Sequence, residues 1–221
     1  MTLDLDFIQT SLSYLLRGAW VSLHLAALAC FIGLSIGILI AMMQISKNKL
    51  LSILSTIYVT IIRGTPMLVQ IFVFFYVFPY LGITLSPYWS AVFAIGVNSG
   101  AYLSQVIRSG ILSIGKGQWE AAQVSGFSRW QTLRYIILPQ AFVFALPALG
   151  NEFITLIKDS SLASTIGVVE LVKEGDLIIS RTYKVIPVYL MITLIYLTMT
   201  SLLALALSQL EKRMKPDAQN N

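Results

Sequence analysis

Apolar positions run through this chain in long unbroken blocks, without the alternation of a half-buried strand or the one-sided periodicity of a surface helix. Residues 18–46 contain no Asp, Glu, Lys or Arg. A membrane-crossing helix needs about 20 mostly apolar residues, so a first span is expected over 20–43, closed by Lys47 and Lys49. A second is expected over 54–79, interrupted by Arg63 and with an irregularity at Gly64 and Pro66. Residues 64–107 form 44 positions without a formal charge. That is too many for one span, and the turn signals in YLGITLSPY divide it. A third span then covers 88–109. After a polar insert at 116–135 come a fourth span at 136–157 and a fifth at 185–210, the last ending at EKRMK. The final residues, PDAQNN, read as a frayed tail. The pattern predicts a single all-α membrane domain over 1–221: a five-helix transmembrane bundle.

Composition narrows the class. Of 221 residues, 57% are hydrophobic and 11% charged, and the mean hydropathy is +0.79. Soluble domains carry about 25% charged residues, so a soluble fold is excluded. The net charge is +5, but the basic residues sit scattered at span ends. That arrangement fits anchoring at a lipid bilayer and not nucleic acid binding. A lone cysteine, Cys30, permits no disulfide within the chain and no cysteine-rich metal site. MTLDLDF at the start lacks the basic segment of a signal peptide.

Lys and Arg placement sets the expected orientation. One side holds Lys47, Lys49, Arg108, Lys116, Arg129, Arg134, Lys212, Arg213 and Lys215. The other holds Arg17, Lys158, Lys173, Arg181 and Lys184, with most of the acids: Asp4, Asp6, Asp159, Glu170, Glu174 and Asp176. The first side is expected to be cytoplasmic, leaving the N-terminus outside and the C-terminus inside.

The insert EAAQVSGFSRWQTLRYIILP is polar and helical in character. Glu120 is expected in the first turn of a short helix, where a negative charge suits the dipole. Ala121 and Ala122 favour the helix and keep it slim, Gly126 ends it, and Ser128 with Gln131 begins a second helix as a capping box. Pro139 is expected to kink the approach to the fourth span. Such a helix–turn–helix presents a knob to a soluble partner, although on these grounds alone it serves equally as a simple connection.

Glu120, Ala121, Ala122, Gly126, Ile136, Leu138 and Pro139 resemble, position by position, the EAA loop of ABC importer permeases. RGTPMLVQ and KDSSLASTIGVVEL resemble segments of the polar amino acid (histidine/glutamine/arginine-type) branch of that family. The resemblance implies a permease subunit of a bacterial inner membrane importer for a polar amino acid. It implies that Glu120, Ala121, Ala122 and Gly126 form a coupling helix docking on a dimer of ATPase subunits. ATP and Mg²⁺ would bind that partner, this chain holding no cofactor and catalysing no covalent chemistry. A second permease chain, identical or a sister, and an extracytoplasmic solute-binding protein complete the implied assembly.

Polar residues inside spans are costly and so informative. Glu152, Asn151, Asn98, Tyr102, Gln70 and Arg63 are the candidates for a substrate pathway. Glu152 suits an ammonium or guanidinium, and Arg63 suits a carboxylate or a structural role. Helix–helix hydrogen bonding is the competing reading, preferred for Asn98 and Gln70. The sole histidine, His24, reads as a packed residue. GILSIGKG resembles a phosphate-binding loop but lacks the final Ser or Thr, so no nucleotide site is expected there. An ion-driven secondary transporter and a membrane scaffold that recruits a soluble partner are the alternatives; no internal repeat supports the first. Basic amino acids, glutamine and cystine all remain open as substrates.

Overall fold

The computed structural model describes residues 5–214. Asp4, Lys215 and the tail expected at 216–221 lie outside the described residues.

Nine α-helices follow one another, linked by short turns, 3₁₀ and π segments, with no strand among the described residues. Helix α1 (Leu5–Ile45) is continuous for 41 residues, about 60 Å at 1.5 Å per residue. It is twice the thickness of a hydrocarbon core, so the span expected from residue 20 is only the inner part of a helix that starts fifteen residues earlier. No proline or glycine pair interrupts LDFIQTSLSYLLRG, so nothing stops the helix at the point where apolarity falls.

Helix α2 (Lys49–Arg63) begins on a side-chain cap, with Asn48 Oδ1 accepting the Leu50 N–H at 2.9 Å. It ends at Gly64, and α3 (Met67–Phe72) starts after Pro66. The helical path through Leu81 turns away from α2 by 101°. Over the second expected span the chain forms a bent pair of helices: the irregularity expected at Gly64 and Pro66 is a near right-angled bend, and the first helix begins at Lys49. A π turn (Val73–Val77) and a 3₁₀ turn (Phe78–Leu81) carry the chain to α4 (Pro87–Leu112), capped by Ser86.

Helix α5 (Lys116–Val124) and the one-turn α6 (Arg129–Gln131) form the insert. A π turn (Thr132–Ile137) then leads into α7 (Leu138–Asp159), so the disturbance expected at Pro139 is an over-wide turn just before it, bridged by Gln140 Nε2 donating to the Ile136 carbonyl at 2.7 Å. A 3₁₀ segment (Ser160–Ile166), α8 (Leu171–Thr182) and α9 (Val185–Met214) complete the chain. Four helical stretches are long and apolar enough to cross a membrane, or five if the bent pair counts as one.

The bundle is organised on α4. It is the least apolar of the candidate spans and the most buried. A helix enclosed by others has no lipid to satisfy and is free to carry Ser90, Asn98, Ser99 and Ser104 on buried faces. Its most extensive partner is α1, approached through small residues on both sides. A Cβ built on Gly33 would stand 2.9 Å from the Ser99 side chain, and one on Gly96 would stand 2.9 Å from Ile32 Cβ and 3.2 Å from the Ala29 carbonyl oxygen. Gly37 and Gly100 extend the same seam. Close packing of this kind drives helix association where lipid is as apolar as leucine. Helix α9 is different: Val188 and Ile192 are its buried residues, and its other faces are largely open.

One corner is tied by a carboxylate. Glu170 is fully buried and caps α8, its oxygens accepting the backbone N–H groups of Val172 (3.0 Å) and Lys173 (2.9 Å). The hydroxyls of Ser22 on α1 and Tyr196 on α9 donate to the same group, both at 3.3 Å. Gly18 lets the α8 backbone approach, since a Cβ there would lie 2.8 Å from Leu171 Cα. Burial pushes the Glu170 carboxyl above its ordinary value of 4.5, and the four hydrogen bonds pull it back.

Two stability predictions follow from this packing. Gly96→Leu should cost about 2 kcal/mol through overpacking, roughly 4–8 °C in the thermal midpoint of the purified protein in detergent. Gly117→Ala, where a Cβ meets nothing within 4 Å, should leave the midpoint unchanged or raise it; equal midpoints for the two variants would refute the seam. Glu170→Ala leaves two backbone donors and two hydroxyls without their acceptor and should cost about 2–4 kcal/mol. Proteolysis should then cut first within 167–184, where α8 comes loose.

Candidate functional site

Two features stand apart from the apolar bundle: the α5 turn and a polar cavity beside the bend.

Helix α5 starts at Lys116, so Glu120 lies in its second turn, beyond the reach of the helix N-terminal dipole and one turn later than expected. Lys116 to Gln118 form the first turn because Gly115 supplies the N-cap, with extended backbone. The helix ends in a Schellman turn: Gly126 adopts φ +82°, its N–H meets the Gln123 carbonyl, and the Phe127 N–H meets the Ala122 carbonyl, both at 3.0 Å. Ser128 and Gln131 close a reciprocal capping box, with Ser128 N–H to Gln131 Oε1 at 2.8 Å. Four residues, Ser125 to Ser128, thus separate two capped helices.

The two alanines face opposite ways. Ala122 is buried, on the same face as the partly buried Trp119, which packs with Ile111, Ile114 and Ile137. Ala121 and Glu120 point outward with Gln123 and with Val124, which is 91% exposed. The slimness attributed to the Ala pair therefore serves two surfaces: Ala122 lets α5 lie on the bundle, and Ala121 keeps the outer face low.

The second feature is a cavity of about 530 Å³ lined by Arg63, Gly64, Thr65, Pro66, Met67, Asn98, Tyr102, Glu152, Thr155 and Asp159. It gathers the end of α2, the start of α3, the middle of α4 and the last half of α7. The bend creates it, because a straight second span would run along α4 and fill the space. The Arg63 guanidinium stands 4.9 Å from the Tyr102 ring centroid, a cation–π arrangement that holds the charge at the cavity wall. On the α7 side, the half-buried Glu152 accepts a hydrogen bond from Ser99 Oγ at 3.2 Å. Four of the six residues singled out from sequence line it: Arg63, Asn98, Tyr102 and Glu152. Gln70 lies immediately behind the wall, its Oε1 accepting from Asn98 Nδ2 at 3.1 Å and its Nε2 donating to the Ile62 carbonyl at 2.8 Å. Asn151 does not join them. It is exposed, and its carbonyl accepts from Thr155 Oγ1 at 3.1 Å. Adjacent helical residues diverge by about 100°, so Asn151 and Glu152 cannot share the cavity face.

Asp159 and Thr155 belong to the cavity but were not among the sequence candidates. The signal was available: Glu152, Thr155 and Asp159 fall at i, i+3 and i+7, one stripe of α7. Asp159 was grouped with the charged residues outside the membrane because the fourth span was expected to stop at 157. His24 is exposed, its Nδ1 meeting the Tyr88 hydroxyl across stacked rings, away from the cavity.

Such a cavity presents one fixed cation and two carboxyl groups in an otherwise apolar bundle, which suits a small solute carrying charges of both signs. Comparison with known proteins agrees with a transport role. Residues 33–216 match the family described as binding-protein-dependent transport system inner membrane component. The chain is 41% identical, over 95% of its length and 90% of the relative's, to the L-cystine transport system permease protein TcyB of Bacillus subtilis. It is 36% identical to the glutamine transport system permease protein GlnP of Escherichia coli, covering 97% and 99% of the two chains. A crystal structure of an amino acid ABC transporter with histidines superposes with a TM-score of 0.89 at 37% identity, covering 96% of this chain and all of that one. The inward-facing MetNI methionine ABC transporter shares the fold at a TM-score of 0.78 and 19% identity, over 91% and 96% of the two chains. This chain, with its several apolar helices, belongs to the family of inner membrane components of binding-protein-dependent transport systems.

Proposed function

We propose that this chain is the permease subunit of an ATP-driven importer that carries a polar amino acid across the bacterial inner membrane. The observation that carries the reading is the cavity, in which Arg63 faces a stripe bearing Glu152 and Asp159 inside an apolar bundle. Arg63 would hold the α-carboxylate and Glu152 the α-ammonium. Asp159 adds a second negative charge, which favours a substrate with a further cationic group over a neutral one. The cystine and glutamine relatives support a polar amino acid as the substrate.

The remaining parts of the reading are built around that cavity. The Lys and Arg distribution supports an inside position for the α5 turn and the C-terminus, and an outside position for the N-terminus and α8. Glu120, Ala121 and Val124 then form the outward face of a coupling helix that docks on an ATPase subunit, with Gly126 fixing its exit angle. ATP and Mg²⁺ belong to that partner. A second permease chain completes the pathway, and a solute-binding protein delivers the amino acid from outside. Closure of the ATPase dimer would pull α5, and through the Trp119 and Ala122 contacts move the C-terminal end of α4 and the start of α7, two helices that line the cavity farther along their length. An ion-driven carrier would leave the outward Glu120 face without a role.

The test is uptake by proteoliposomes holding the chain with its cognate ATPase and binding protein, offered labelled amino acids. Uptake should require ATP. Glu120→Lys should cut it at least roughly tenfold, about 1.4 kcal/mol of lost coupling, while leaving amino acid binding by the binding protein intact. Asp159→Asn should lower uptake of cationic relative to neutral amino acids about tenfold, whereas Glu152→Gln should lower uptake of both. Uptake that continues without ATP, or that ignores Glu120→Lys, would sink the importer reading.

A further inference from the structure

The bend in the second span leaves a specific vacancy in the hydrogen-bond ladder. In an uninterrupted helix the Ile62 carbonyl would accept the N–H of residue 66. That residue is Pro66 and has no N–H. At membrane depth no lipid atom replaces it. Thr65 Oγ1 turns back to the Ile61 carbonyl at 3.0 Å, tying one strand of the frayed end. The Ile62 carbonyl is taken by Gln70, which reaches back from α3 with Nε2 at 2.8 Å. The same nitrogen donates to Thr65 Oγ1 at 2.8 Å and reaches the Thr65 carbonyl at 3.2 Å. Gln70 Oε1 is held in turn by Asn98 Nδ2 on α4. Gln70 is 8% exposed and Asn98 4%.

One buried amide therefore joins both sides of the bend to the central helix. The residue after Ile62 is Arg63, and the peptide between them carries the carbonyl that Gln70 holds. The guanidinium of Arg63 rests on Tyr102, one turn beyond Asn98 on the same face of α4. The Asn98–Gln70–Ile62 chain and the Tyr102–Arg63 contact thus fix the end of α2 at two points against one register of α4.

We propose that Gln70 is a positioning residue that acts through Arg63: its amide replaces the N–H that Pro66 lacks and so holds the Arg63 guanidinium at the wall of the substrate cavity. The inference rests on the amino acid importer reading. Without the amide, the Ile62 carbonyl keeps only the long 3.4 Å contact from the Thr65 hydroxyl, the last turn of α2 is free to rotate, and Arg63 leaves Tyr102.

The experiment measures binding of labelled arginine and labelled glutamine to the purified permease–ATPase complex in nanodiscs, with basal ATPase rate as a second readout. Gln70→Met should weaken binding about tenfold at an unchanged basal rate. Arg63→Gln should weaken binding at least as much, and the double variant should be no weaker than Arg63→Gln alone. Gln70→Glu keeps the size but, when ionised, donates nothing. It should match Gln70→Met at pH 8 and regain affinity at pH 5, where a protonated carboxyl can donate to Ile62, with wild type measured at both pH values as reference. If Gln70→Met does not assemble, the pH response of Gln70→Glu carries the test. Wild-type affinity in Gln70→Met, multiplicative losses in the double variant, or a Gln70→Glu profile parallel to wild type would each overturn the proposal. Wild type that binds neither amino acid, nor labelled cystine offered in the same assay, would overturn the importer reading and the inference together.

Discussion

Hydrocarbon offers no hydrogen bonds, so every backbone N–H and C=O at membrane depth must find a partner inside the protein. The architecture follows from how this chain meets that demand. Where nothing interrupts the ladder, helices run on past the apolar stretch that a span requires, as α1 does from Leu5. Where Pro66 breaks the ladder a glutamine stands in, Gln70 donating to the Ile62 carbonyl, and at the π turn before α7 Gln140 adds a side-chain bond to the Ile136 carbonyl. Both features sit where the chain does something other than cross. The first opens the polar cavity, and the second turns the α5 insert back into the bundle.

With the backbone satisfied, side-chain size decides which helices meet. Glycine and serine line the α1–α4 seam, and contact there is backbone against backbone. This closeness has a chemical consequence. Ser99 lies in the seam against Gly33 and also donates to Glu152, so the register of α1 on α4 is linked to the orientation of a cavity carboxylate. Large residues on α9 leave it loosely held, and Tyr196 and Glu170 supply a polar tie where apolar packing is thin. A peripheral helix with an open face suits a chain that functions beside a second one.

The helices and the α5 turn were legible in the sequence because both depend on local rules. Charge-free blocks mark spans, and Gly126, Ser128 and Gln131 write the turn in residues whose preferences are intrinsic. The cavity was half legible. Arg63, Asn98, Tyr102 and Glu152 attract notice as polar residues in apolar surroundings, but Asp159 stands beyond the fourth expected span and attracts none. Asn151 was included because adjacency in sequence was taken for adjacency in space. Glu170 passed as one more acid near a span end; nothing local reveals that Ser22 and Tyr196 would close over it.

The sequence by itself determined the class of protein, the number of apolar segments, the place of the break and the family, because composition, charge spacing and proline chemistry act within a few residues of where they are written. Tertiary structure alone decided that the break is a 101° bend, that Gln70 rather than a neighbour fills the place of the absent N–H, and that Ala122 faces the bundle while Ala121 faces outward. Those outcomes depend on which side of each helix meets another. That is settled by packing between residues dozens of positions apart, as between Gly33 and Ser99, or Gln70 and Asn98.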